Sequence, residues 1–119
     1  MAYPIERKLV VAVSSSALFD LSESHAVFVE KGPKAYKEFQ EANLDKVLAK
    51  GVAFPFVRRF LNINLRFPKQ MPVEVVLLSR NSAATGRRVF RSVAHYGLDI
   101  TRAAFMEGES PYEYIPAFN

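Results

Sequence analysis

A chain of 119 residues, half of them hydrophobic, with a formal charge of +4 and no cysteine, is one domain by length and is large enough to bury a core without covalent staples. The missing cysteine excludes disulfide frameworks, zinc–thiolate sites and thiol nucleophiles together, and 24% charged with 13% aromatic residues is the balance of a globular chain rather than a disordered one. The apolar run Leu9 to Val13 is shorter than a signal-peptide core and no stretch nears the ~18 apolar residues of a membrane span, so the expectation is a cytoplasmic protein that is neither secreted nor inserted.

Lys8 to Val13 is a short valine-rich run stopped by three serines, the pattern of a buried strand. From Pro33 to Lys50 the apolar positions Tyr36, Phe39, Leu44, Val47 and Leu48 recur at helical spacing, with Pro33 in the first turn and Gly51 as the stop. His25 falls in the segment before this helix, which reads as a loop. Val57, Phe60, Leu61 and Leu65 mark one face of a second helix, ended by Pro68 and Pro72. Val73 to Leu78 is a near-continuous run of valine and leucine, the signature of a strand covered on both faces. Between Ala83 and Tyr96, Val89, Phe90, Val93 and Tyr96 form an apolar stripe that Gly97 is placed to cap. Ala103 to Met106 reads as a third strand, and Tyr112 to Phe118 as the start of a further helix. This alternation predicts an α/β fold: a Rossmann-like parallel sheet of about three strands, helices on both faces, and a cap-like helical insertion over residues 22–67 of a single domain spanning residues 1–119.

In an open parallel sheet ligands bind beyond the carboxyl ends of the strands. Strand one ends in Ser14, Ser15 and Ser16, and strand two in Ser79, Arg80 and Asn81. If the two are neighbours, hydroxyls, a guanidinium and an amide converge with the backbone N–H groups of the helix starting near Ala83, which outlines a phosphate site. The plainer reading is that serine and asparagine terminate strands and cap helices. Asp20 follows as a lone carboxylate of the kind that caps a helix, and His25 and His95 read as structural or surface residues. No glycine-rich phosphate loop, metal-spaced histidine cluster or serine elbow is present.

Charge is unevenly placed. Residues 1–57 balance seven basic against seven acidic side chains, residues 58–102 set nine basic against two acidic, and the tail carries Glu107, Glu109 and Glu113. An arginine-rich middle suits an oxyanion, which the guanidinium fork can bind through two bonds, and it equally suits a solvated face. Without exposed aromatics interleaved among the arginines, the pattern does not favour nucleic acid.

Five separated blocks then match a known pattern in order: LVVAVSSSALFD (9–20), FVEKGPKAYKEFQ (28–40), AFPFVRRFLNIN (53–64), VVLLSRNSAATGRRVF (75–90) and HYGLDITRAAFMEGESPYEYIPAFN (95–119). They resemble the cytosolic type I 5'-nucleotidase family, itself similar to haloacid dehalogenase-like phosphohydrolases. The resemblance implies magnesium-dependent hydrolysis of nucleoside 5'-monophosphates, with Ser79 in the place of the serine that hydrogen-bonds the phosphoryl group. Such enzymes carry an Asp-x-Asp nucleophile segment after the first strand, whereas Val13 to Ser16 hold only valine and serine, and the lysine expected around EGESPYEY is replaced by its neighbourhood of Ser110 and Pro111. The resemblance therefore implies a non-catalytic amino-terminal half, with phosphate or nucleotide contacts from Ser14, Ser15, Ser16, Ser79, Arg80 and Asn81, no catalytic residue of its own and no magnesium ligand. Its partners would be a nucleoside monophosphate or phosphate, and a catalytic half supplied by another segment or a further copy. The alternative is a stand-alone assembly or nucleotide-binding module that pairs across an unfinished sheet edge.

Overall fold

A computed structural model of the chain describes residues 8–79 and 81–105. Three parallel strands, β1 (Leu9–Val13), β4 (Val73–Ser79) and β5 (Arg102–Phe105), form a sheet in the order β1-β4-β5. The valine-rich β4 lies in the middle, and all seven of its residues are buried. That position is why its sequence lacks the alternation of a half-exposed strand. Leu9 pairs with Val73 and Val13 with Leu77, while Val76 to Ser79 pair with Arg102 to Phe105. Within this apolar run Glu74 is neutralised by Arg102 of β5, whose Nε and Nη2 donate to the two carboxylate oxygens at 2.7 Å each. The bidentate pair joins the two strands across their shared face.

Between β1 and β4 come α1 (Ser15–Leu18), β2 (Phe19–Asp20), α2 (Ser22–Ala42), β3 (Ala49–Lys50) and α3 (Phe54–Arg66), and α4 (Ala83–His95) joins β4 to β5. The helices flank the sheet in the α/β, Rossmann-like arrangement. On β4, Val75 and Leu77 enter a single core with Val57 and Leu61 of α3 and Val89 and Val93 of α4. Phe19, Phe54 and Tyr96 close one end of that core, with ring centroids 5.0 to 6.3 Å apart. No helix among the described residues is long and apolar enough to cross a membrane.

The structure moves several sequence-based boundaries. Helix α2 begins at Ser22, so His25 lies on a helix and not in a loop. Gly32 breaks it at φ 88°, splitting it into residues 22–31 and 33–42. Proline disfavours the helical region for the residue before it, and a glycine there takes the left-handed region without a Cβ penalty. Pro33 then opens the second half, as expected of a first-turn proline.

The helix expected to run on to Lys50 ends at Ala42. There Asn43 caps it, donating its side-chain Nδ2 to the Phe39 carbonyl at 2.8 Å. Tertiary bonds then claim the chain: Leu48 N donates to Ser92 Oγ at 3.0 Å, Tyr96 Oη donates to the Leu48 carbonyl at 2.8 Å, and Ala49–Lys50 pair antiparallel with Phe19–Asp20. Only Leu48 of the expected stripe's C-terminal positions is buried, while Val47 is exposed.

Helix α3 starts at Phe54, with Pro55 in its first turn, three residues before the first position of its expected apolar stripe. The third strand starts one residue earlier than expected, at Arg102, and Met106, the helix expected at 112–118 and the tail glutamates lie outside the described residues. Gly97, at φ 67°, follows α4 as its left-handed terminator.

Candidate functional site

The parallel pairing of β1 on β4 has an offset of 64 residues, and the same offset sets Ser15, the first residue of α1, beside Ser79, the last residue of β4. Their hydroxyl oxygens lie 2.8 Å apart, and both residues are buried. Asn81 ties them together: its Nδ2 donates to Ser15 Oγ and its backbone N–H donates to Ser79 Oγ, each at 3.0 Å. Each hydroxyl thus accepts once from Asn81, the bond between them uses one hydroxyl proton, and the second hydroxyl proton is left to donate.

This hub forms one end of a cleft of about 1400 Å³ between the strand ends and α2. Ser14 and Ser16 line the same cleft. Ser14 is partly committed, because its Oγ accepts from Ala17 N at 3.1 Å as the cap of α1. Ser16 is exposed and 3.5 Å from Ser14 through its hydroxyl. Arg80, the sixth residue singled out from the sequence, lies outside the described residues. The structure therefore brings Ser15, Ser79 and Asn81 into one bonded group, with Ser14 and Ser16 on its margin.

Sequence reasoning missed Ser82. It occupies the N-cap of α4 in an extended conformation, yet its side chain makes no capping bond, and its Oγ is buried without a partner. An N-cap serine ordinarily satisfies one of the helix's free N–H groups. Here the first N–H groups of α4 are left uncapped by side chains, and no acidic residue stands in the first turn. Ser82, Ala83 and Ala84 line the cleft beside the serine hub. A serine preceding an amphipathic helix was a readable capping signal; that its hydroxyl is spared from the cap was not.

The other wall comes from α2, which contributes His25, Phe28, Tyr36, Lys37 and Glu41, none assigned to the site from sequence. Phe28 is 45% exposed and packs edge-on against Tyr36, with centroids 5.6 Å apart. Tyr36 in turn hydrogen-bonds Thr85 of α4. Gln40 Nε2 also donates to Thr85 Oγ1 at 3.3 Å, and the buried Arg88 donates to Gln40 Oε1 at 2.9 Å. Burial lowers the pKa of Arg88, while the charge of Glu23 and then Tyr36 act against that shift. These bonds hold the α2 wall to the helix whose start borders the hub.

Asp20 also reaches the cleft. Bonds from the Ser22 side chain first and its backbone N–H second, the latter at 2.9 Å, hold the Asp20 carboxyl below its ordinary value. It is an ionised group committed to the start of α2. Among the described residues no three of His, Cys, Asp and Glu cluster closely enough to hold a metal ion.

A parallel α/β sheet with polar strand ends, a spare hydroxyl proton and an uncapped helix start is an arrangement suited to an oxyanion. The family model for 5'-nucleotidase matches residues 1–119, and the chain belongs to that family. It is similar to human cytosolic 5'-nucleotidase 1B, with 34% identity over 115 residues, which is 92% of this chain and 19% of that protein. The chain thus spans about a fifth of the length of this relative. No solved structure matches it.

Proposed function

We propose that the chain forms the phosphate-recognising part of a cytoplasmic 5'-nucleotidase acting on nucleoside 5'-monophosphates, and that another polypeptide segment supplies the nucleophile and the magnesium-binding carboxylates. The observation that carries this reading is the Ser15–Ser79–Asn81 hub beside the uncapped start of α4. A phosphate seated there would accept the spare hydroxyl proton and the first N–H groups of α4, where the helix dipole favours negative charge. At the opposite wall, the exposed ring of Phe28 offers a face on which a base can stack. The strand-end positions Val13 to Ser16 hold no carboxylate, and Asp20 is engaged by Ser22. Membership of the family and the similarity to human cytosolic 5'-nucleotidase 1B support the nucleotide class.

Calorimetric titration of the chain with AMP, adenosine and inorganic phosphate tests the proposal. AMP is expected to bind more tightly than adenosine, phosphate to compete with AMP, and Ser79→Ala to weaken AMP by about 1–3 kcal/mol, the cost of a lost bond to a charged group. The chain alone is expected to release no phosphate from AMP with magnesium. Failure of AMP to bind would overturn the site, and magnesium-dependent turnover would overturn the division of labour.

A further inference from the structure

Helix α3 and its C-cap Phe67 carry a second apolar stripe, of which only Phe60 packs against the core. Its buried side is Phe54, Val57, Leu61 and Asn64. Phe56, Phe60, Ile63 and Phe67 follow at spacings of four, three and four, which places them in a row on an adjoining side. Phe56 is 58% exposed, Ile63 38% and Phe67 50%. Phe60, partly buried, stacks on Phe56 at 5.7 Å with an 18° angle between the rings. A row of this length, exposed over about three turns, is a ridge of the kind that seats in the groove of a second helix.

The charge beside this ridge narrows the occupant. Residues 54–66 contain Arg58, Arg59 and Arg66 and no Asp or Glu. Arg58 is used within the fold, donating to the Tyr96 carbonyl at 2.6 Å. Arg59 and Arg66 are exposed, and neither forms an ion pair among the described residues. A symmetric contact between two copies of α3 would set these arginines against one another, a like-charge arrangement that costs stability. The chain also spans only 19% of its human relative, so a protein of that relative's length holds ample polypeptide to cover the ridge.

We propose that the Phe56–Phe60–Ile63–Phe67 ridge docks an amphipathic helix whose apolar stripe is flanked by Asp or Glu, with Arg59 and Arg66 meeting the acidic flank. The ridge supplies the contact area, and the arginines select the sign and orientation of the partner. The inference is independent of the cleft and of what binds there.

The test uses the 119-residue chain and two fluorescent three-heptad helical peptides with leucine at the core positions, one flanked by glutamate and the other by lysine. The glutamate-flanked peptide is expected to bind at least ~10-fold more tightly, and Phe56→Ser with Ile63→Ser to weaken it by a further ~10-fold or more, while Leu65→Ser, 78% exposed and off the ridge, leaves binding unchanged. Arg59→Glu with Arg66→Glu keeps the ridge intact and is expected to reverse the preference to the lysine-flanked peptide. Circular dichroism confirms folding of each variant. Equal binding of the two peptides, binding of neither, or an unreversed preference overturns the proposal. Two further outcomes overturn it in favour of other occupants: a dimer in sedimentation that Phe56→Ser dissociates, which points to a second copy, and association with phosphatidylserine vesicles in preference to either peptide, which points to a membrane surface.

Discussion

Ser15 and Ser79 stand 64 residues apart in the chain and 2.8 Å apart through their hydroxyls, because the chain turning from β1 into α1 sets Ser15 beside the last residue of β4, two positions beyond the Val13–Leu77 pair. Backbone pairing of two apolar strands thereby fixes the position of two polar side chains that neither strand contains as a pair. Removing Ser79 Oγ leaves the Asn81 N–H without its acceptor and Ser15 without one partner. Ser79→Ala is expected to lower stability by about 1–3 kcal/mol, measured by urea unfolding. Ser14→Ala, which removes a cap on a one-turn helix, should cost less, about 0.5–2 kcal/mol.

Gly51 is a second position where the fold leaves no freedom. A Cβ there would collide with the Ala17 carbonyl oxygen and lie 2.8 Å from Phe19 N, both backbone atoms that cannot swing aside. The crowding has a cause, since Gly51 N donates to the Leu18 carbonyl at 2.9 Å and draws the two segments together. Gly51→Ala is expected to destabilise by about 1–3 kcal/mol, read as a fall in the urea midpoint. Gly32→Ala, where a Cβ meets nothing within 4 Å, isolates the penalty of a positive φ from that of a clash.

Asn64 joins α3 to the start of β4 through both ends of its amide. Its Nδ2 donates to the Val73 carbonyl at 2.8 Å, and its Oδ1 accepts from Val73 N at 3.0 Å. The residue is 7% exposed, so truncation leaves a buried donor and a buried acceptor unmatched. Asn64→Ala should cost roughly 2–6 kcal/mol, at about 1–3 kcal/mol for each orphaned group. Asn64→Asp keeps an acceptor for Val73 N but sets a buried carboxylate against the Val73 carbonyl, so its loss in the same unfolding measurement at neutral pH is expected to be no smaller.

Asp20 provides the pH dependence. Its folded carboxyl is held below the ordinary value of 3.8 by Ser22, so the unfolded chain binds the proton more readily. The resulting stabilisation is fully present above 3.8 and is lost as pH falls through the lower folded value. Wild type and Asp20→Asn are therefore expected to differ in Tm at neutral pH and to converge as the medium becomes strongly acidic. A Tm difference that stays constant through the acid range would show that the Ser22 bonds do not couple to ionisation.

Much of the sheet was readable because β4 is apolar throughout and bounded by proline and polar residues, which is the local mark of a strand buried on both faces. The serine clusters were readable as strand ends for the same reason. The failure over residues 43–50 is equally physical. Leu44, Val47 and Leu48 continue the helical spacing, but the bonds that end the helix come from Asn43, Ser92 and Tyr96, and two of those partners lie more than 40 residues away. Likewise, His25 and Phe28 became cleft residues because residues 22–31 fold as a helix, which no strong apolar periodicity announced.

By itself, the sequence determined the α/β alternation, the valine-rich strands, the proline and glycine boundaries and the polar ends where a ligand could sit, since each follows from interactions among near neighbours. Only the tertiary structure decided that Ser15 meets Ser79, that Ser82 keeps its hydroxyl out of the cap, that α2 walls the cleft and that one apolar row of α3 faces outward. Those outcomes depend on strand register and on which helix face the core consumes. Both are set by contacts between residues distant in the chain.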